Sequence, residues 1–185
     1  SSLTAVIVGD VDAAQAVAAA QRAFGDWRSA AQEESVKPVD GTAAFACTPV
    51  VERRLQVVTM PNKAQADIAY GFVALARSDP AYYATFLMNN VLGQYSLGGR
   101  LGDSIRETQG MAYYVSSALD ANLFPGPLTI RAGVAPGNVE RTIQSIDEIV
   151  ATAARDGITG KELQDSKAFL IGAMPRTLET NSGIA

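Results

Sequence analysis

The sequence contains no histidine and a single cysteine, Cys47. Without imidazole there is no Ser-His-Asp or Cys-His apparatus and no His-ligated zinc, and one thiol makes neither a structural zinc site nor an internal disulfide. Any such centre would have to come from another polypeptide segment. Cys47 closes the apolar stretch 43–47, where a small buried or half-buried thiol is the ordinary reading. A basic tract is also lacking. Lys and Arg number 15 against 19 Asp and Glu, the formal charge is -4, and the longest basic cluster is the pair Arg53 and Arg54. That footprint excludes nucleic-acid binding. Charges such as Asp67 and Arg77 interrupt every apolar stretch short of the roughly 18 to 20 residues a spanning helix requires, so no membrane span is expected. Disorder is excluded as well. With 48% hydrophobic and 18% charged residues over 185 positions, the chain has the proportions of a folded domain, and at this length it can build a core without metal or disulfide staples.

What is present reads as alternating layers. Leu3 to Gly9 is a β-branched apolar run that predicts a buried strand, and Asp10 or Asp12 then offers an N-cap to a helix carrying Ala13, Val17, Ala20 and Phe24 on one face before Gly25. Residues 29–49 lose periodicity and gather Gln, Glu, Ser, Lys, Pro and Gly, which marks an exposed connection inside one domain. Arg54 to Met60 predicts a half-buried strand, Pro61 and Asn62 a turn, and Ala66 to Leu75 a longer strand. Asp79 and Pro80 read as a helix start, with Tyr83, Phe86, Leu87, Asn90 and Val91 at helical spacing up to Gly93. Leu101 and Ile105 restart a short helix, and Gly110 falls where a left-handed residue is needed. Strands are predicted over Ala112 to Leu119 and Leu128 to Val134. Between them and the end lie a helix with Val139, Ile143, Ile146 and Val150 as one stripe, and a last helix opened by the capping box Thr159 and Glu162 and kinked or ended by Pro175.

Hairpin-like strand pairs between helical layers predict an α+β fold: a mixed, largely antiparallel sheet of about five strands, covered on one face by helices. A doubly wound sheet would need single strands alternating with helices, which this order does not show. The chain opens on a strand-like run without an initiator Met, and residues 178–185 carry no helix-stop pattern. Residues 1–185 are therefore expected to be one half-domain of a longer protein.

The glycine-rich stretch GQYSLGGRLG (93–102) lacks the Lys and Ser or Thr of a phosphate loop and follows a helix rather than a strand, so it predicts a flexible connection. Chemistry concentrates just beyond it, in GGRLGDSIRETQGMAYYVSS (98–117). Arg106, in the last turn of the short helix, and Tyr113, at the start of the next strand, are joined by the reversal at Gly110. A cationic fork and a phenol suit a carbonyl oxygen or a developing oxyanion. An Arg pairing with an acid near a helix end and a Tyr packed on a sheet are equally ordinary. Strict alternation would send Tyr114 to the opposite face from Tyr113.

Three blocks, VIVGDVDAAQAVAAAQRAFGDW (6–27), QADIAYGF (65–72) and LGGRLGDSIRETQGMAYYVSS (97–117), together with LQDSKAFLIG (163–172), resemble the second half-domain of the pitrilysin or insulinase type of zinc peptidase, the inverzincins, which include mitochondrial processing peptidase and bacterial relatives. The resemblance implies a clamshell. One half carries an inverted zinc motif, whose two His and a distant Glu hold zinc while the motif Glu acts as general base. The other half, which this chain resembles, presents an Arg and a Tyr to the peptide substrate. Carried over by position, Arg106 would bind the substrate backbone near the scissile bond and Tyr113 would stabilise the tetrahedral oxyanion. No catalytic or metal-ligating residue is expected in the chain itself, zinc is expected in the partner half-domain, and the chain alone is expected to be inactive. The partner half lies in the same polypeptide or in another subunit; in the second case the parent is a non-catalytic partner subunit or a structural core protein. A surface made to face another half-domain can also pair with itself, which makes a homodimer a further expectation. The residues leave the compartment open between bacterial cytoplasm and periplasm.

Overall fold

The computed structural model describes residues 4–27, 52–94 and 99–184. The chain divides into two compact units, residues 1–46 with 169–185 and residues 47–168. Cys47 and the connection expected over 29–49 lie outside the described residues.

In the first unit, Asp12 starts helix α1 (Ala13–Phe24), and its carboxylate accepts the Gln15 amide at 2.9 Å. This satisfies one of the donors that a helix start leaves open. Gly25 caps the other end, as its position in the sequence predicts. Val17, Ala20 and Phe24 line an apolar groove with Ile7 and Val11 of the preceding segment. That segment corrects an expectation: residues 4–9 are mostly exposed and pair with no strand among the described residues. A strand is stable only when a neighbouring edge takes its backbone donors and acceptors, and no described residue supplies one.

The second unit holds β1 (Ala66–Val73), β2 (Ala112–Leu119) and β3 (Pro127–Val134). They form an antiparallel sheet in the order β1-β3-β2. The α+β architecture is the one the sequence predicts, but among the described residues the sheet has three strands rather than about five. The second missing strand is Arg54 to Met60, which has the composition of a strand yet leaves Leu55 79% and Val58 73% exposed, without ladder partners among the described residues. The turn after it does form, with Asn62 at φ 64.

Helices cover one face of this sheet. Leu128, Ile130, Ala132 and Val134 alternate inward along β3 and meet Leu101, Ile105, Val115 and Ile146 in one core. Helix α2 (Tyr82–Asn89) starts two residues after Pro80 rather than at it. Asp79 spends its side chain on the Ala81 amide at 2.8 Å, closing a local turn that delays the helix. A wide, π-type turn (Asn90–Gln94) ends it. Helix α3 (Gly102–Thr108) is wound equally wide, with the Gln109 amide donating to the Ser104 carbonyl five residues back at 3.0 Å. A tight turn at Pro136–Asn138 leads into α4 (Val139–Asp156), whose Ile146 is wholly buried while Val139 and Val150 flank the core. Helix α5 (Gly160–Thr177) continues two residues past Pro175, and a short α6 (Asn181–Ile184) follows. Pro175 has no amide to offer the Ile171 carbonyl, and the helix ends within two residues of it, where the Leu178 amide turns back to the Met174 and Pro175 carbonyls at 3.2 and 3.0 Å.

Ile130 is fully buried on the central strand. Ile130→Ala is expected to lower unfolding free energy by about 3 kcal/mol through lost transfer energy and a cavity. In urea denaturation the midpoint should fall with little change in slope.

Candidate functional site

Arg106 and Tyr113 are placed by one compact reversal. The Gly110 amide donates to the Arg106 carbonyl and the Met111 amide to the Ile105 carbonyl, each at 3.0 Å, while Gly110 takes φ 61. These bonds satisfy the carbonyls at the end of α3 and turn the chain directly into β2. Arg106 is half-exposed, and its ion-pair partner is the neighbouring Glu107 at 3.7 Å. Tyr113 is 82% exposed and has no hydrogen-bond partner among the described residues. The reversal thus gathers both residues at one connection, but they make no hydrogen bond with each other.

The strand that carries Tyr113 is irregular at this point. Ala112 pairs with Val134 and Tyr114 with Gly133, so Tyr113 is an extra residue opposite no partner of its own. This bulge overturns the alternation argument. Ala112 and Val115 are buried, whereas both tyrosines between them leave the core, Tyr114 at 36% exposure. Bulges redirect side chains in this manner.

Tyr114 belongs to a cluster of its own. Its hydroxyl donates to Asp67 Oδ1 at 2.9 Å, and Gln65 Nε2 donates to the same oxygen at 3.1 Å. Lys63 closes the group by pairing with Asp67 Oδ2. The ammonium of Lys63, then the Tyr114 hydroxyl, hold the Asp67 carboxyl below its usual range, and the same bond pushes the Tyr114 phenol up. The ring lies so close over Gly133 that a Cβ there would stand 2.3 Å from Tyr114 Cε1 and 2.1 Å from Gln65 Nε2. Sequence reasoning missed this cluster because Asp67 and Tyr114 are 47 residues apart. Its one local signal is a glycine inside a strand, which often marks a close approach.

A second polar group anchors the stretch leading into α3. Arg100 Nε and Nη2 donate to the two Glu162 oxygens at 2.7 and 2.9 Å, and Nη2 also reaches the Gly157 carbonyl at 2.9 Å. Glu162 in turn accepts the Thr159 amide at 2.7 Å, while Thr159 Oγ1 accepts the Glu162 amide at 3.2 Å. The capping box read from the sequence is therefore present. The Arg100 bond, chiefly, draws Glu162 from 4.5 down to about 2.

No group of three or more His, Cys, Asp or Glu among the described residues could hold a metal ion. With no histidine in the chain, the donors do not fit zinc. Among the described residues, no helix is long and apolar enough to cross a membrane.

The antiparallel sheet with helices over one face defines an α+β unit, and comparison gives the family. The model of the peptidase M16 inactive domain matches residues 1–170. The chain belongs to that family. It is 39% identical over 119 residues to the uncharacterized zinc protease YmxG of Bacillus subtilis, covering 64% of this chain and 29% of that one. It is 30% identical over 180 residues to an uncharacterized zinc protease of Mycobacterium leprae, covering 97% and 39%. The chain thus spans about a third of the curated relatives it matches. Among solved structures it resembles a peptidase M16 inactive domain from Pseudomonas fluorescens at 30% identity and TM-score 0.60, over 66% of this chain and 29% of that one. A protease from Helicobacter pylori shares the fold at 18% identity and TM-score 0.75, over 96% and 42%.

The shift on Glu162 gives a pH dependence. Its carboxyl is depressed in the fold, so its contribution is fully present above about 4.5 and is lost as pH falls toward 2. Urea denaturation should show the native protein losing about 2 kcal/mol more than Glu162→Gln across that window, a figure discounted for partial exposure. At the tyrosine cluster, Gly133→Ala must displace the Tyr114 ring and should cost about 2 kcal/mol, more than Tyr114→Phe, which deletes only an exposed hydroxyl.

Proposed function

We propose that this chain is the substrate-clamping half-domain of a zinc-dependent endopeptidase, acting on peptides with Arg106 and Tyr113. The zinc and its general base belong to the other half. Relatives named zinc proteases, aligned with up to 97% of this chain but longer than it by more than twofold, support a zinc-bearing half in the same polypeptide.

The observation that carries the reading is the bulge. It leaves the Tyr113 phenol exposed and, among the described residues, without a hydrogen-bond partner at the turn that also holds Arg106. A phenol without a protein partner is a donor held in reserve. When the scissile carbonyl becomes tetrahedral its oxygen gains charge, and a donor aimed there stabilises that state more than the ground state. Arg106, whose ion pair among the described residues is with the adjacent Glu107 at 3.7 Å, can exchange that loose pair for the backbone carbonyls of an extended peptide, fixing its register. Separating the two tasks explains why both types are needed: the fork orients and the phenol answers developing charge.

In the full-length protein, Tyr113→Phe and Arg106→Ala are each expected to lower kcat/KM by about 100-fold. Zinc content, measured by metal analysis, should not change. Retained turnover in both variants would overturn the proposal.

A further inference from the structure

The sheet face opposite the helices carries Arg131 near its centre. Alternation along β3 places Thr129, Arg131 and Gly133 on this face. The register sets Ala69 of β1 and Ser116 of β2 on either side of Arg131. Gly71 and Ala118 flank Thr129, while Asp67 and Tyr114 flank Gly133. Ala69, Gly71, Ala118 and Arg131 are all exposed, so among the described residues no layer lies over them. Arg131 has no ion pair among the described residues. The acid that shares its face, Asp67, is taken by Lys63, Gln65 and the Tyr114 hydroxyl. Its cross-strand neighbours, Ala69 and Ser116, carry no charge.

We infer that Arg131 sets substrate preference by receiving the side-chain carboxylate of an Asp or Glu in a peptide extended over this face. The inference rests on the proposed peptidase function and names the class of peptide that it favours. Charge complementarity carries it: a guanidinium with no ion pair among the described residues offers a planar fork that matches a carboxylate in two parallel hydrogen bonds. Placement supports it. Ser116, the neighbour of Arg131, is three positions along β2 from Tyr113, about 10 Å in an extended strand. A peptide whose scissile bond lies at Tyr113 and whose chain runs over the sheet would bring an acidic side chain to Arg131 about three residues from that bond. The short side chains of Ala69, Gly71 and Ala118 let its backbone come close.

The test uses the full-length protein and fluorescein-labelled alanine-based decapeptides, amidated at the C terminus, in which a single Glu or Gln moves along the sequence. Binding is read by fluorescence anisotropy after zinc has been stripped with a chelator, so no peptide is cleaved during the measurement. At one favoured position the Glu peptide should bind about fivefold more tightly than its Gln twin. Arg131→Gln should abolish that preference, Arg131→Lys should keep part of it, and Arg131→Glu should transfer it to a Lys peptide. Arg106→Ala should weaken both twins equally and leave their ratio unchanged, which separates failure of this inference from failure of the clamping role. A ratio near one at every position, or one that Arg131→Gln does not alter, would overturn the inference. Arg131-dependent binding seen only with a free C-terminal carboxylate would also overturn it, by moving the partner from the side chain to the chain end.

Discussion

The structure hangs on the pair formed by Arg100 and Glu162. One guanidinium reaches two carboxylate oxygens and the Gly157 carbonyl, and so ties the chain entering α3 to the loop and first turn of α5. The ion pair is partly sheltered, its side chains 21% and 29% exposed, which places it between a solvent-screened surface pair and a costly buried one. Its value lies in direction. Glu162 already holds the start of α5 through Thr159, so Arg100 docks onto a group whose position is settled by short-range bonding. Leu101 follows Arg100 immediately and is fully buried, and α3 with Arg106 comes next. The orientation of the candidate site is thereby inherited from a capping motif some sixty positions further along the chain.

The neighbourhood of Gly99 explains why glycines surround this anchor. Gly99 sits at φ 139, and a Cβ there would approach the Val91 carbonyl to 3.0 Å. A side chain is refused both by the backbone angle and by the space. The glycine-rich stretch therefore works as a close-packed crossing at Gly99, beyond the flexible connection that its composition alone suggests.

Features with a local cause could be read before the fold was known. The Asp12 cap, the Thr159 and Glu162 box, the left-handed Gly110 and the bounds of β2 each depend on residues a few positions apart. Features that need a distant partner could not. Arg54 to Met60 has the composition of a strand, yet composition cannot provide the edge that makes a strand real. The same limit hid Arg100, Asp67 and Arg131, whose meaning lies in what stands across the sheet or at another helix. At the candidate site the residue types at Arg106 and Tyr113 were visible in the sequence. The bulge was not, because a one-residue offset appears only once β2 is laid against β3.

That offset bears on how the chain tolerates change in length. Two tyrosines stand side by side where the partner strand offers one position, so the ladder from Val115 onward keeps step whether one or two residues fill the gap. Removing either tyrosine would yield a regular strand with its inward-facing residues still inward, and a chain with one aromatic ring in place of two. The fold would register almost nothing. The phenol that remained would have to choose between the Asp67 carboxylate and open solvent, so the extra residue is what allows the structural tyrosine and the solvent-facing tyrosine to be different residues.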